Sequence, residues 1–114
     1  RFDFKVKSLI GRQDFLGFDD TFVLDKTKAK AAMLFSKKTG IKMEVFTNQP
    51  AMVIYMPKKF PDLLLSENYE NFPAIAFEAQ KYPDATTYKD FPSTLLKPGE
   101  KYRNRTTFKF EVIS

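Results

Sequence analysis

The chain has 114 residues, with 19 Lys and Arg against 14 Asp and Glu and a formal net charge of +5, a length that suits one domain. Hydrophobic residues make up 43% and charged residues 29%, the balance of a globular protein rather than a disordered one. It contains no cysteine and no histidine, which excludes disulfides and thiolate metal sites and removes the usual proton shuttle near neutral pH.

The chain opens on Arg1 rather than Met and runs directly into Phe2-Asp3-Phe4-Lys5-Val6-Lys7, whose alternation reads as a strand and suggests a processed or partial chain. Next, Gly17-Phe18-Asp19-Asp20-Thr21-Phe22 sets an acidic pair at the entrance to a strand. Residues 28–38, Thr39-Gly40 and residues 41–48 read as a hairpin. Its second arm has Ile41, Met43 and Val45 on one face and Lys42 and Glu44 on the other. A helix over residues 26–35 competes because Ala29, Ala31 and Ala32 favour it. Continued alternation into Phe35 and the glycine turn favour a strand.

Residues 51–56, Ala-Met-Val-Ile-Tyr-Met, form an apolar run short enough for a strand buried on both faces. Residues 73–80 read as another strand. Residues 102–113 end the chain as a half-buried one, with Phe108, Phe110 and Val112 on one face and Lys109 and Glu111 on the other. Between strands, residues 57–72 and 81–100 hold five of the seven prolines, and connections of that length are often functional. The fold class expected is all-β, an antiparallel β-sandwich.

The basic residues are dispersed in pairs, at Lys37-Lys38, Lys58-Lys59 and Arg103 with Arg105. A nucleic-acid binder would gather them on one stripe with stacking aromatics, so no nucleic acid is expected. No apolar run approaches the ~18 residues of a membrane helix and no charged-then-apolar leader opens the chain, so no membrane partner is expected and the default compartment is cytoplasmic.

Without His and Cys, chemistry falls to carboxylates, Tyr, Lys and amides. Asp19-Asp20 fits an ordinary Asp-rich turn as well as a ligand-binding pair. In Ala74-Ile75-Ala76-Phe77-Glu78-Ala79-Gln80, one face carries Ile75, Phe77 and Ala79, and the other Ala74, Ala76, Glu78 and Gln80. Small alanines beside a carboxylate leave space for a concave polar site. A plain solvent-facing glutamate fits the same pattern.

The ordered set of segments resembles the aldose 1-epimerases, the galactose mutarotases. It comprises Arg1-Phe2-Asp3-Phe4-Lys5, Ile10-Gly11, Gly17-Phe18-Asp19-Asp20-Thr21-Phe22-Val23-Leu24, Met43-Glu44-Val45-Phe46-Thr47-Asn48-Gln49-Pro50, Tyr55, and Phe77-Glu78-Ala79-Gln80-Lys81-Tyr82-Pro83-Asp84-Ala85. It closes on Phe91-Pro92-Ser93-Thr94-Leu95-Leu96-Lys97-Pro98-Gly99-Glu100-Lys101-Tyr102. Family members are much longer, so the resemblance implies that residues 1–114 are the C-terminal portion of one mutarotase-like sandwich domain.

The resemblance also implies a reaction, the interconversion of the α and β anomers of galactose or glucose. A Glu takes the proton of the C1 hydroxyl and a His protonates the ring oxygen. Glu78 matches that base and Asp19 matches a carboxylate that accepts hydrogen bonds from sugar hydroxyls. Gln49 and Tyr55 match positions lining or supporting the sugar site. No metal and no organic cofactor are implied.

Three departures stand out. Family members often carry His where Asp20 stands, Val53 replaces a polar Gln, and the family's acid lies in an N-terminal part that this chain lacks. The chain alone is therefore expected to be inactive. The partners expected are an aldohexose, that N-terminal part and, in a homodimer, a second copy. A non-catalytic carbohydrate-binding protein of the same fold and a hexose-6-phosphate 1-epimerase are the competing readings. A partial sandwich should also expose apolar surface where further strands would pack.

Overall fold

A computed structural model describes residues 4–10, 16–57 and 74–113. Among the described residues there is no helix; six strands form two three-stranded antiparallel sheets. The strands are β1 (Phe18–Val23), β2 (Ala32–Phe35), β3 (Ile41–Thr47), β4 (Ala51–Met56), β5 (Ala76–Gln80) and β6 (Thr106–Val112). One sheet has the order β1-β4-β5 and the other β2-β3-β6, so the all-β, sandwich-like fold class expected from the alternation is observed.

Side-chain alternation explains the shared core. Phe18, Met52, Ile54 and Met56 from the first sheet cluster with Val45 from the second, and Phe77, Ala79, Met43 and Ala32 pack around them. β4 is the central strand, paired on both sides, and only Tyr55 of its six residues is exposed. The continuous apolar run of residues 51–56 thus answers to burial on two faces. Met52 and Val45 are the largest fully buried side chains.

The hairpin forms as β2 and β3, with Gly40 at φ +70° and its amide bonded to Ser36 O at 2.9 Å. A Cβ at Gly40 would stand 2.8 Å from the carbonyl oxygen of Ile113, so glycine is required twice over, by backbone angle and by space. The helix alternative is absent. Asp25 instead caps a tight turn, accepting from the Thr27 amide at 2.9 Å and hydroxyl at 2.7 Å.

Three expectations are corrected. The first arm of the hairpin is shorter than residues 28–38, because only Ala32–Phe35 has a ladder; Ala31 adds a single bond to Val45 O. The described part of the Phe2–Lys7 segment, from Phe4 onward, is not a strand. It has no ladder partner among the described residues, and Phe4 instead meets Phe18 and Phe22 edge-on at 5.7 and 6.1 Å. The strand expected over residues 102–113 covers only Thr106–Val112, and although Phe108, Phe110 and Val112 share one face as alternation put them, that face is not half-buried: they are 44%, 64% and 78% exposed. The connection over residues 57–72 lies, beyond Pro57, outside the described residues.

The opposite face of the β2-β3-β6 sheet is charged. Lys30 meets Glu44 at 2.6 Å, Lys42 meets Glu44 at 3.5 Å, and Glu111 is held by both Lys42 and Lys109. Cross-strand register sets Lys42 opposite Glu111, while Lys42 with Glu44 and Lys109 with Glu111 are two apart on one face of a single strand.

Candidate functional site

Antiparallel partners project to the same side of a sheet, so register decides which polar side chains converge. In the β1-β4-β5 sheet, Asp19 is opposite Tyr55 and Tyr55 is opposite Ala76. The next row on the same face is Thr21, Val53 and Glu78, and the one after it Val23, Ala51 and Gln80. Asp19, Tyr55 and Glu78 therefore stand on one face, with Ala76, Val53 and Ala51 between them as a low apolar floor. The other face carries Phe18, Ile54, Met52 and Phe77 into the core. This is the division of β5 read from its sequence, with Ile75, Phe77 and Ala79 behind and Ala76, Glu78 and Gln80 in front.

Asp19 and Glu78 are both exposed, and Tyr55 is 38% exposed. Among the described residues neither carboxylate takes part in an ion pair. Two strand spacings and one pleat repeat separate their backbones by about 12 Å. Asp20, the other member of the acidic pair, belongs to the inward face; its Oδ2 accepts from the Asp19 amide at 3.3 Å. A face of this kind offers two acceptor-only groups and a phenol over an apolar floor, suited to hydrogen-bonding a polyhydroxylated ring and to removing a proton from it.

Gln49 stands apart from that face, in the bend that carries the chain from β3 in one sheet to β4 in the other. It is only 7% exposed, and its amide is engaged by protein groups. Nε2 donates to Asn48 Oδ1 at 2.9 Å and to Arg103 O at 3.5 Å, and Oε1 accepts from the Tyr102 hydroxyl at 3.1 Å. Asn48 completes the corner, donating to Arg103 O at 3.0 Å and accepting from the Arg105 amide at 2.9 Å. The sequence reading missed this corner: its partners are more than fifty residues apart, and nothing in local alternation links Asn48 to Arg103. Among the described residues no cluster of acidic side chains is arranged to hold a metal ion.

Known proteins resemble this chain over most of its length. The family model described as aldose 1-epimerase matches residues 1–109. A galactose mutarotase of Pongo abelii is 36% identical over 97% of this chain and 35% of its own length, and that of Homo sapiens is 35% identical over the same shares. An aldose 1-epimerase of Haemophilus influenzae is 31% identical over 96% of this chain and 36% of its own. The chain thus spans about a third of the length of the curated relatives it matches. With the family model matching nearly all of its length and animal and bacterial relatives agreeing, the chain belongs to the aldose 1-epimerase family.

Proposed function

We propose that this chain is the C-terminal portion of a cytoplasmic enzyme that interconverts the α and β anomers of galactose or glucose, and that Glu78 is its general base. The observation that carries the reading is the β1-β4-β5 register: two exposed carboxylates without ion-pair partners among the described residues share one face with the exposed Tyr55. Relatives named galactose mutarotase and aldose 1-epimerase supply the substrate class.

In this mechanism Glu78 takes the proton from the C1 hydroxyl as an acid protonates the ring oxygen, and the bond between C1 and the ring oxygen breaks. The open-chain aldehyde turns about its C1–C2 bond and closes on the other face, with both proton transfers reversed. Asp19 accepts hydrogen bonds from sugar hydroxyls, so the ring stays in place while C1 turns, and Tyr55 lines the same face. Gln49 acts from the bend between β3 and β4, as a support. The acid is not a histidine of these 114 residues, which contain none, and it comes from elsewhere in the complete protein. Neither proton transfer calls for a metal or organic cofactor.

Polarimetry on freshly dissolved α-galactose and α-glucose tests the assignment in the complete protein. Glu78→Gln keeps shape and removes the proton acceptor, so turnover should fall about 10²–10⁴-fold with sugar binding retained. Asp19→Asn should weaken binding as well as rate. Unchanged turnover in Glu78→Gln removes the base. Sugar binding with no turnover in the parent protein favours a non-catalytic carbohydrate-binding role.

A further inference from the structure

Residues 102–105 belong to no strand, yet they hold the two strand ends that flank Glu78. The Tyr102 hydroxyl donates to Gln49 Oε1 at 3.1 Å, and Gln49 lies two residues ahead of Ala51, the first residue of β4. The Tyr102 ring lies under the Lys81 ammonium, 5.8 Å from its centroid, and Lys81 directly follows Gln80, the last residue of β5. Ala51 and Gln80 are opposite one another in the ladder, and the next pair on the same face is Val53 and Glu78. Tyr102 thus spans the start of β4 and the end of β5, one row from the carboxylate. Asn104 adds a second hold. β5 has a ladder partner on one side only among the described residues, and Asn104 Nδ2 donates at 3.0 Å to the carbonyl of Ala79, the residue after Glu78.

We infer that Tyr102 is a positioning residue for Glu78, acting through Gln49 and Lys81 to fix the β4–β5 register beneath the carboxylate. The inference rests on the reading of Glu78 as the base and extends it to a residue outside the exposed face. Its physical basis is the asymmetry of a buried acceptor. Gln49 is nearly fully buried, so an Oε1 without its donor leaves an unmet polar group that the bend must shift to satisfy. That bend is the start of β4. Displacing a reacting group by about 1 Å costs on the order of 100-fold in rate.

The test is Tyr102→Phe in the complete protein, which keeps the ring beside Lys81 and deletes only the hydroxyl. Mutarotation should lose about 10-fold in kcat with KM unchanged within about twofold, because the sugar-holding Asp19 lies on β1. Added to Glu78→Gln, the same change should lower kcat less than about twofold further, since the group it positions is already gone. An unchanged kcat in the single variant, a loss shared equally between kcat and KM, or a full tenfold loss in both backgrounds overturns the positioning role. Full turnover in Glu78→Gln overturns the base reading and this inference together, whereas an inert Tyr102→Phe beside a crippled Glu78→Gln overturns the inference alone. Should Tyr102→Phe fail to fold, Lys81→Met, which removes the ammonium held over the Tyr102 ring, carries the same expectations and the same outcomes.

Discussion

Glu44 and Glu111 on the β2-β3-β6 sheet and Asp19 and Glu78 on the β1-β4-β5 sheet are all strand-borne carboxylates, yet their surroundings differ. The first two are threaded between Lys30, Lys42 and Lys109. The hydrogen bonds of Lys109 and then Lys42 bring the carboxyl of Glu111 down to about 2, and that of Lys30 lowers Glu44. The second two face Tyr55 and Val53 across the ladder. The difference teaches that the neighbouring side chains, more than the carboxylate itself, set its surroundings. Lysines beside it and across the ladder neutralise the charge and tie the strands together; a phenol or an aliphatic neighbour leaves the oxygens without a counter-charge.

The contrast is broken most directly by matched substitutions in the complete protein. Glu78→Gln should reduce mutarotation by about 10²–10⁴-fold, whereas Glu111→Gln should leave it within about twofold of the parent. Equal losses by polarimetry would mean that the two sheets do not divide their roles. The shared core offers the next test. Met52 is 1% exposed and packs with Val45 across the sheets, so Met52→Ala should cost about 2–5 kcal/mol of unfolding free energy in a denaturant titration. A loss below about 1 kcal/mol would show that the sheets are stabilised separately.

Gly40 sharpens the comparison at the hairpin. Gly40→Ala imposes a left-handed backbone on a residue with a Cβ, about 1–2 kcal/mol, and drives that Cβ against Ile113 O. Thermal unfolding should show at least this loss while the folded fraction keeps its mutarotation rate. A variant as stable as the parent would mean that the turn relaxes freely.

The smallest effect is the pH dependence of the lysine–glutamate ladder. Glu111 stands at about 2 against an ordinary 4.5. A depressed folded-state value contributes stability that is present above the unfolded value and lost as pH falls from about 4.5 toward 2. Thermal midpoints taken from pH 5 down to pH 2 should fall more steeply in the parent than in Glu111→Gln, and salt should flatten the difference because the ladder is at the surface. Parallel slopes would remove the ladder's role in stability.

Much of this was legible in the chain itself. The alternation of Ile41, Met43 and Val45 against Lys42 and Glu44 separated the two faces of β3, and the apolar run of residues 51–56 marked a strand buried on both faces. The Thr39-Gly40 turn located the hairpin, and the two faces were correctly separated around Glu78 over Ala76–Gln80, the part of the expected residues 73–80 that forms a strand. These are local consequences of a period of two and of the conformational freedom of glycine, so neighbouring residues suffice to reveal them.

Partner choice was settled only in three dimensions. Nothing in the alternation of β1 says that Asp19 lies opposite Tyr55, or that β6 pairs with β3 and leaves Phe108 and Phe110 exposed. Nor does it say that Tyr102 and Arg103 fasten the bend at Asn48 and Gln49. A strand's own pattern names its inner and outer faces, but every antiparallel neighbour with an apolar face satisfies it equally. The choice among those neighbours follows from how both sheets together bury Phe18, Val45, Met52, Ile54 and Met56 in one core, a condition on distant segments at once that no single stretch of sequence contains.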